Sequence, residues 1–268
     1  MIAATCQKWT QTIAISWSNH LAYKLNFFLQ VIGPTLIFFF IKVSLWDAIY
    51  GISPEMEIQG YDLQGMISYQ GWVMVVTLLA QGHTSMKLSE DIRLGRISAY
   101  LIYPFTLWQF QFCSFIAFQG IQLLVASVSL VTLVLISFIE LPGMGTILIG
   151  LAYCTLVGVF WFSVQYIIGL FSFWLEETWV LRVLVSIAAS FLSGAILPLE
   201  LFPAQFVSIL EYTPFPYITH VPVKMMTGGA TESVGLSFLV MSFWALVLSG
   251  VAHLTWRRGV RLYSAAGM

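Results

Sequence analysis

Charge is absent from most of this chain, and the places where it is absent limit what the chain can become. Six stretches, 25–41, 63–86, 97–139, 141–175, 183–199 and 233–256, hold no Asp, Glu, Lys or Arg. A helix needs about 20 mostly apolar residues to cross a bilayer. With 59% of residues hydrophobic and 9% charged, there is too little polar surface to coat a water-soluble globule. The expected fold class is therefore an all-α polytopic membrane protein. A net charge of −1 predicts no nucleic-acid partner.

Placing turns at Pro104 and at Pro142-Gly143 divides the runs into six spans, near 25–45, 65–84, 110–138, 146–173, 179–198 and 234–256. Lys42 and Arg182 extend the shorter spans by reaching toward water. With a cytoplasmic N-terminus, nine of the eleven basic residues fall inside and only Lys42 and Lys224 fall outside, as the positive-inside rule requires. A seventh crossing would put Arg257, Arg258 and Arg261 on the wrong side. Both termini are therefore expected in the cytoplasm, with residues 1–268 forming one transmembrane domain.

The connecting segments carry their own signals. Trp9, Ile13, Trp17 and Leu21 recur every four residues, the pattern of an amphipathic helix on the inner membrane surface or of an ordinary packed helix. The acidic loop at 46–64 is expected outside. Residues 198–222 contain five prolines, too many for a span, and are expected to form a short re-entrant or interfacial helix near 203–212. Gly150, Cys154 and Gly158, and likewise Ser186, Ser190 and Gly194, place small residues every four positions. Such rows let helices approach closely, within one subunit or between two. Cys6, Cys113 and Cys154 have no metal or redox spacing and read as small buried hydrophobes.

The densest charge lies in "SEDIRLGRISAYLIYP", residues 89–104, within the inside loop 85–104. Ser89 reads as an N-cap, with Glu90 and Asp91 in the first turn and Arg93 and Arg96 later, as the helix dipole favours. A short helix bearing both signs suits docking to a soluble protein; a plain cytosolic elbow is the simpler alternative.

This stretch resembles the first cytoplasmic loop of type-2 ABC exporter permeases, through Ile92, Arg93, Gly95, Arg96, Ile97, Leu101, Ile102 and Pro104. The segment before the last span is similar too, through Ser193, Gly194, Pro198, Leu199, Phe202, Pro203, Pro214 and Phe215. The resemblance implies a permease subunit paired with an identical or homologous permease. Each permease would rest on a separate nucleotide-binding ATPase that carries the ATP and magnesium, so this chain would hold no cofactor and would not be an enzyme. It implies that loop 85–104 is a coupling helix, with Lys87, Glu90, Asp91, Arg93 and Arg96 as contacts and Glu176, Glu177 and Arg182 as a secondary contact. It also implies a bacterial inner-membrane location among lipid, and a path lined by spans two and five and part of span one. Gln81, Gln119, Gln122 and Gln165 are candidate lining groups or interhelical hydrogen-bond partners. An aromatic, charge-poor interior favours an amphipathic, lipid-like or drug-like substrate. The chain has no G-x-x-x-x-G-K-[ST] phosphate loop. A proton-coupled transporter would need ionisable residues at mid-span. A membrane enzyme would need a constellation that His20, His83, His220 and His253 do not form. A membrane assembly protein is the remaining alternative.

Overall fold

The computed structural model describes residues 2–22, 28–51, 57–80, 85–98, 100, 105–229 and 233–263. Among the described residues it is mainly helical, with one isolated bridge between Ile58 and Tyr61. Helix α1 (Ile2–Ala22) precedes a π-turn at Phe28–Ile32 and helix α2 (Gly33–Tyr50). Then follow α3 (Leu63–Ala80), α4 (Ser85–Arg93), α5 (Leu107–Leu135) and α6 (Met144–Leu170). The remainder is α7 (Trp179–Leu192), three short helices α8 (Ala204–Leu210), α9 (Phe215–Ile218) and α10 (His220–Thr227), and α11 (Val234–Leu262).

Local chemistry sets several boundaries. Pro34 sits in the first turn of α2, where its missing N–H is not needed. Thr106 caps α5 reciprocally: its hydroxyl accepts from the Gln109 N–H, and the Gln109 side chain accepts from the Thr106 N–H. Pro203 precedes α8, the short helix expected near 203–212.

Among the described residues, five helices are long and apolar enough to cross a membrane: Gly33–Tyr50, Leu63–Ala80, Leu107–Leu135, Met144–Phe173 and Val234–Leu262. The chain is a polytopic membrane protein. The fifth expected span differs from the other five. Helix α7 has 14 residues, about 21 Å at the α-helical rise, and stops at Leu192 instead of continuing to 198. The cause is Gly194, whose φ of +80° lies in the left-handed region that glycine enters without strain.

Helix α6 is the centre of the packing, touching α3, α4, α7, α10 and α11. Its buried face includes Tyr153, Cys154, Val157, Phe162 and Tyr166. Helix α1 lies along α5, with Trp9 edge-on to Phe105 and Phe112, Trp17 over Gly120 and His20 against Phe118. Its uncovered side carries Lys8, Gln11, Ser18 and Asn19 beside Ile15. By contrast, α7 buries only Ala189 and leaves Trp179, Leu184, Ile187 and Phe191 exposed. Helix α2 similarly exposes Ile37, Phe38, Ile41 and Leu45.

Candidate functional site

Helix α4 is attached by one edge and uncovered on the other. Leu88, Ser89 and Ile92 are buried. Leu88 lies on Gly169 of α6, where a Cβ would come within 2.7 Å of Leu88 Cδ2. Ser89 is not the N-cap expected from sequence, because the helix begins a turn earlier at Ser85. Its hydroxyl instead accepts from Thr178 Oγ1 at 2.8 Å and hydrogen-bonds the Ser172 hydroxyl. Thr178 is the residue preceding α7. Arg93 Nη1 donates to the Glu176 carbonyl at 2.9 Å and to Glu177 Oε1 at 2.8 Å. Loop 85–98 thereby holds the connection between α6 and α7.

Gly95 turns the chain after α4 with a φ of +71°. Its carbonyl accepts the Tyr263 hydroxyl at 2.8 Å, which ties the loop to the end of α11. Arg96 folds back on Glu90 at 3.3 Å and Asp91 at 3.5 Å. Burial pushes the Asp91 carboxyl up despite the fields of Lys87 and Arg96. The uncovered edge consists of Met86, Lys87, Glu90, Arg93, Leu94 and Arg96, with Met86 48% and Leu94 54% exposed.

A cavity of about 480 Å³ lies between α2, α3 and α7. Val31, Phe38, Phe39, Met74, Ile187 and Phe191 contribute its apolar walls. Lys42, Gln70, Gln122, Ser186 and Ser190 are its main polar groups. The sequence places Lys42 near the end of its span, but α2 runs on to Tyr50, so Lys42 sits two turns inside the helix.

The break after α7 forms one end of this cavity. Four successive carbonyls there each receive a donor from elsewhere in the chain. Ser193 O accepts the His220 N–H at 2.9 Å, and Gly194 O accepts the Tyr69 hydroxyl at 2.8 Å. Ala195 O accepts Lys42 Nζ at 2.7 Å, and Ile196 O accepts Gln70 Nε2 at 3.3 Å. Irregular backbone at membrane depth must be satisfied by protein in this way.

The other sequence candidates scatter. Gln122 lines the cavity. Gln119 lies over Gly158, between α5 and α6, and Gln165 is buried on α6. Gln81 falls outside the described residues, as do Leu101, Ile102 and Pro104. Gly150 lies under the Met226 side chain and Cys154 is buried in the same helix. Ser186 and Ser190 face the cavity, whereas Gly194 belongs to the turn and not to a helical row. The Arg182 Nε is buried without a hydrogen-bond partner.

Sequence reasoning missed a polar cluster on the face of the molecule opposite α4. Lys224 Nζ is 2.6 Å from Glu200 Oε1 and 4.8 Å above the Tyr61 ring. The Tyr61 hydroxyl donates to Glu200 at 3.3 Å, and His220 Nε2 stands 3.9 Å away. Burial opposes charge on Glu200, yet the hydrogen bond and charge of Lys224 outweigh it and hold its carboxyl low. Burial keeps the His220 imidazole neutral, with its pKa lowered to about 4. The available signal was two acids, Glu200 and Glu211, and one lysine in an apolar, proline-rich segment. Among the described residues, no group of three His, Cys, Asp or Glu side chains could hold a metal ion.

Comparison with protein families matches residues 31–267 to the ABC-2 family transporter protein. No curated protein matches the chain. The match spans most of the sequence and agrees with the bundle of apolar helices. The chain belongs to the ABC-2 transporter family, as a multi-pass membrane component of transport.

Proposed function

We propose that this chain is one permease domain of an ATP-driven exporter, with α4 as the element gripped by a separate cytoplasmic ATPase subunit. The observation that carries the reading is the asymmetry of α4: one edge is locked to α6, α7 and α11, and the other presents Met86, Lys87, Glu90 and Leu94. A rigid attachment transmits displacement, and an uncovered mixed edge offers a partner both area and register. Charge supports the orientation. Lys8, Lys87, Arg93, Arg96, Arg182, Arg257, Arg258 and Arg261 belong to the α4 side, against Lys42 and Lys224 elsewhere among the described residues.

ATP-driven closure of two ATPase subunits would move α4. Ser89 and Arg93 pass that movement to residues 172–178, and Thr178 passes it to the start of α7. Helix α7 forms a wall of the cavity, so displacement of α4 reshapes the binding space. A second permease, identical or homologous, covers the exposed faces of α2 and α7 and completes the path. ATP and magnesium stay on the partner subunit, and lipid surrounds the remaining apolar helices. The cargo is an amphipathic, lipid-like or drug-like molecule, and the setting is a bacterial inner membrane with both termini in the cytoplasm. Nucleotide shifts the inward–outward equilibrium only through its different affinity for the two states.

Purification of the tagged chain from its native membrane tests this. An ATP-binding subunit is expected to co-purify, and the double variant Lys87→Glu, Leu94→Asp is expected to lose it while remaining inserted. Recovery of the chain without any ATP-binding protein would overturn the proposal.

A further inference from the structure

The exporter reading leaves the chemistry of the cargo open, and Lys42 bears on it. An ammonium within an apolar helix is costly in lipid and marks a functional site unless it is paired. Lys42 has three N–H donors. One goes to Ala195 O at 2.7 Å, and the ion pairs among the described residues include no carboxylate on Lys42. The side chain lines the cavity and is not fully covered. Two buried acceptors line the same space: Gln70 Oε1 and Gln122 Oε1 have no hydrogen-bond partner. Gln70 and Gln122 are each 1% exposed, so bulk water does not serve them. Unsatisfied buried acceptors call for a donor.

The rest of the lining is apolar. Pro34 and Lys42 mark the two ends of the α2 wall, about 12 Å apart at the helical rise. The volume of about 480 Å³ falls within the range of roughly 300–1,000 Å³ typical of small-molecule sites. The space is therefore polar and cationic at one end and oily along its length.

We propose that this cavity binds an amphiphilic acid, with its carboxylate or phosphate on the Lys42 ammonium and its apolar chain along Phe38, Phe39, Ile187 and Phe191. A hydroxyl or N–H beside the acid reaches Gln70 or Gln122 only after that side chain turns toward the space. That the acid is cargo rests on the exporter reading; that it binds does not.

The test uses the full chain in nanodiscs of zwitterionic phosphatidylcholine and two probes, 11-(dansylamino)undecanoic acid and its uncharged primary amide. Lys42→Gln keeps a donor for Ala195 and removes the charge. It is expected to weaken binding of the acid by about tenfold or more, in line with a charged hydrogen bond, and to leave the amide unchanged. Lys42→Arg is expected to retain the preference for the acid. Ser190→Asp leaves the Lys42–Ala195 bond in place and adds a carboxylate to the wall, so it too is expected to weaken only the acid. Equal losses for both probes in Lys42→Gln, or no loss of the acid in either Lys42→Gln or Ser190→Asp, would overturn the proposal. Repeating the measurement with phosphatidylglycerol in the nanodiscs separates the sources. Displacement of the acid assigns the site to lipid head groups, and undiminished binding assigns it to soluble amphiphilic acids. If an ATPase co-purifies but the acid preference is absent, only this inference falls. If the preference holds and no ATPase is found, the exporter reading falls.

Discussion

The two ends of the bundle treat their polar residues in opposite ways. At the end bearing Glu200 and Lys224, polar groups are turned inward: Tyr61, Glu200, His220 and Lys224 answer one another, and Tyr69, Lys42 and Gln70 answer the broken end of α7. At the α4 end, the buried edge is equally committed, but Met86, Lys87, Glu90 and Leu94 on the second edge stay exposed. The first arrangement seals loops that would otherwise leave bare backbone in lipid. On the proposed reading the second is a stiff lever with its contact surface open. Charge density alone would not mark such a surface; charge on an element whose opposite side is fixed would.

The contrast can be broken most strongly at the buried edge of α4. Leu88→Ala removes the side chain that fills the space over Gly169, and should destabilise the protein by about 2–4 kcal/mol, the usual range for a core leucine. Thermal denaturation in mild detergent reads this. A change under about 0.5 kcal/mol would mean that α4 is not anchored.

Next in size is Lys224→Met, which leaves the half-buried Glu200 carboxylate without its cation. A loss of about 2 kcal/mol is expected, below the figure for a fully buried pair because both side chains keep some solvent. A neutral outcome would show that the cap does not depend on this pair.

Acid provides a third and more graded test. His220 is neutral in the fold, with its pKa lowered to about 4 from 6.5. Its folded pKa lies below the unfolded one, so protons bind the unfolded chain preferentially. Stability should therefore fall as pH drops from 6.5 toward 4. The Glu200 contribution has the usual carboxylate sign: it is present above the unfolded pKa and lost as pH falls through the lowered folded value. It should fail at lower pH than the histidine does. Melting temperatures at a series of pH values check this, and His220→Gln should flatten the limb between 6.5 and 4. An unchanged slope in that variant would contradict the assignment.

The smallest effect on stability belongs to the uncovered edge. Leu94→Ser should change stability by no more than about 0.5 kcal/mol, although it removes a large apolar side chain. A large loss would mean that Leu94 packs against this chain and is not available to a partner.

Much of the architecture was legible because a charge-free run of sufficient length has few other uses. Helices α2, α3, α5, α6 and α11 followed from it, and the short helix after Pro203 followed from the prolines. The end of α7 did not. Residues 183–199 are charge-free throughout; Gly194 turns the chain, but the donors that satisfy the freed carbonyls include Tyr69, Lys42 and Gln70, which lie more than a hundred positions away in sequence. Similarly, the spacing of Ser89 matched a helix cap, but its partners are on residues 172 and 178. Arg93 stood out by its charge, yet periodicity could not reveal that it is spent on Glu176 and Glu177. Local pattern exposes elements, while contacts between distant segments decide which groups remain available.

Chemical labelling at Leu94 reports which side of the membrane α4 faces. A cysteine placed at Leu94, read with a membrane-impermeant maleimide, should react in inverted membrane vesicles and not in right-side-out ones. An added ATP-binding partner subunit should shield it. Reaction from the right-side-out vesicles alone would place α4 on the wrong side of the membrane, and the assignment of that helix to an ATPase would have to be given up.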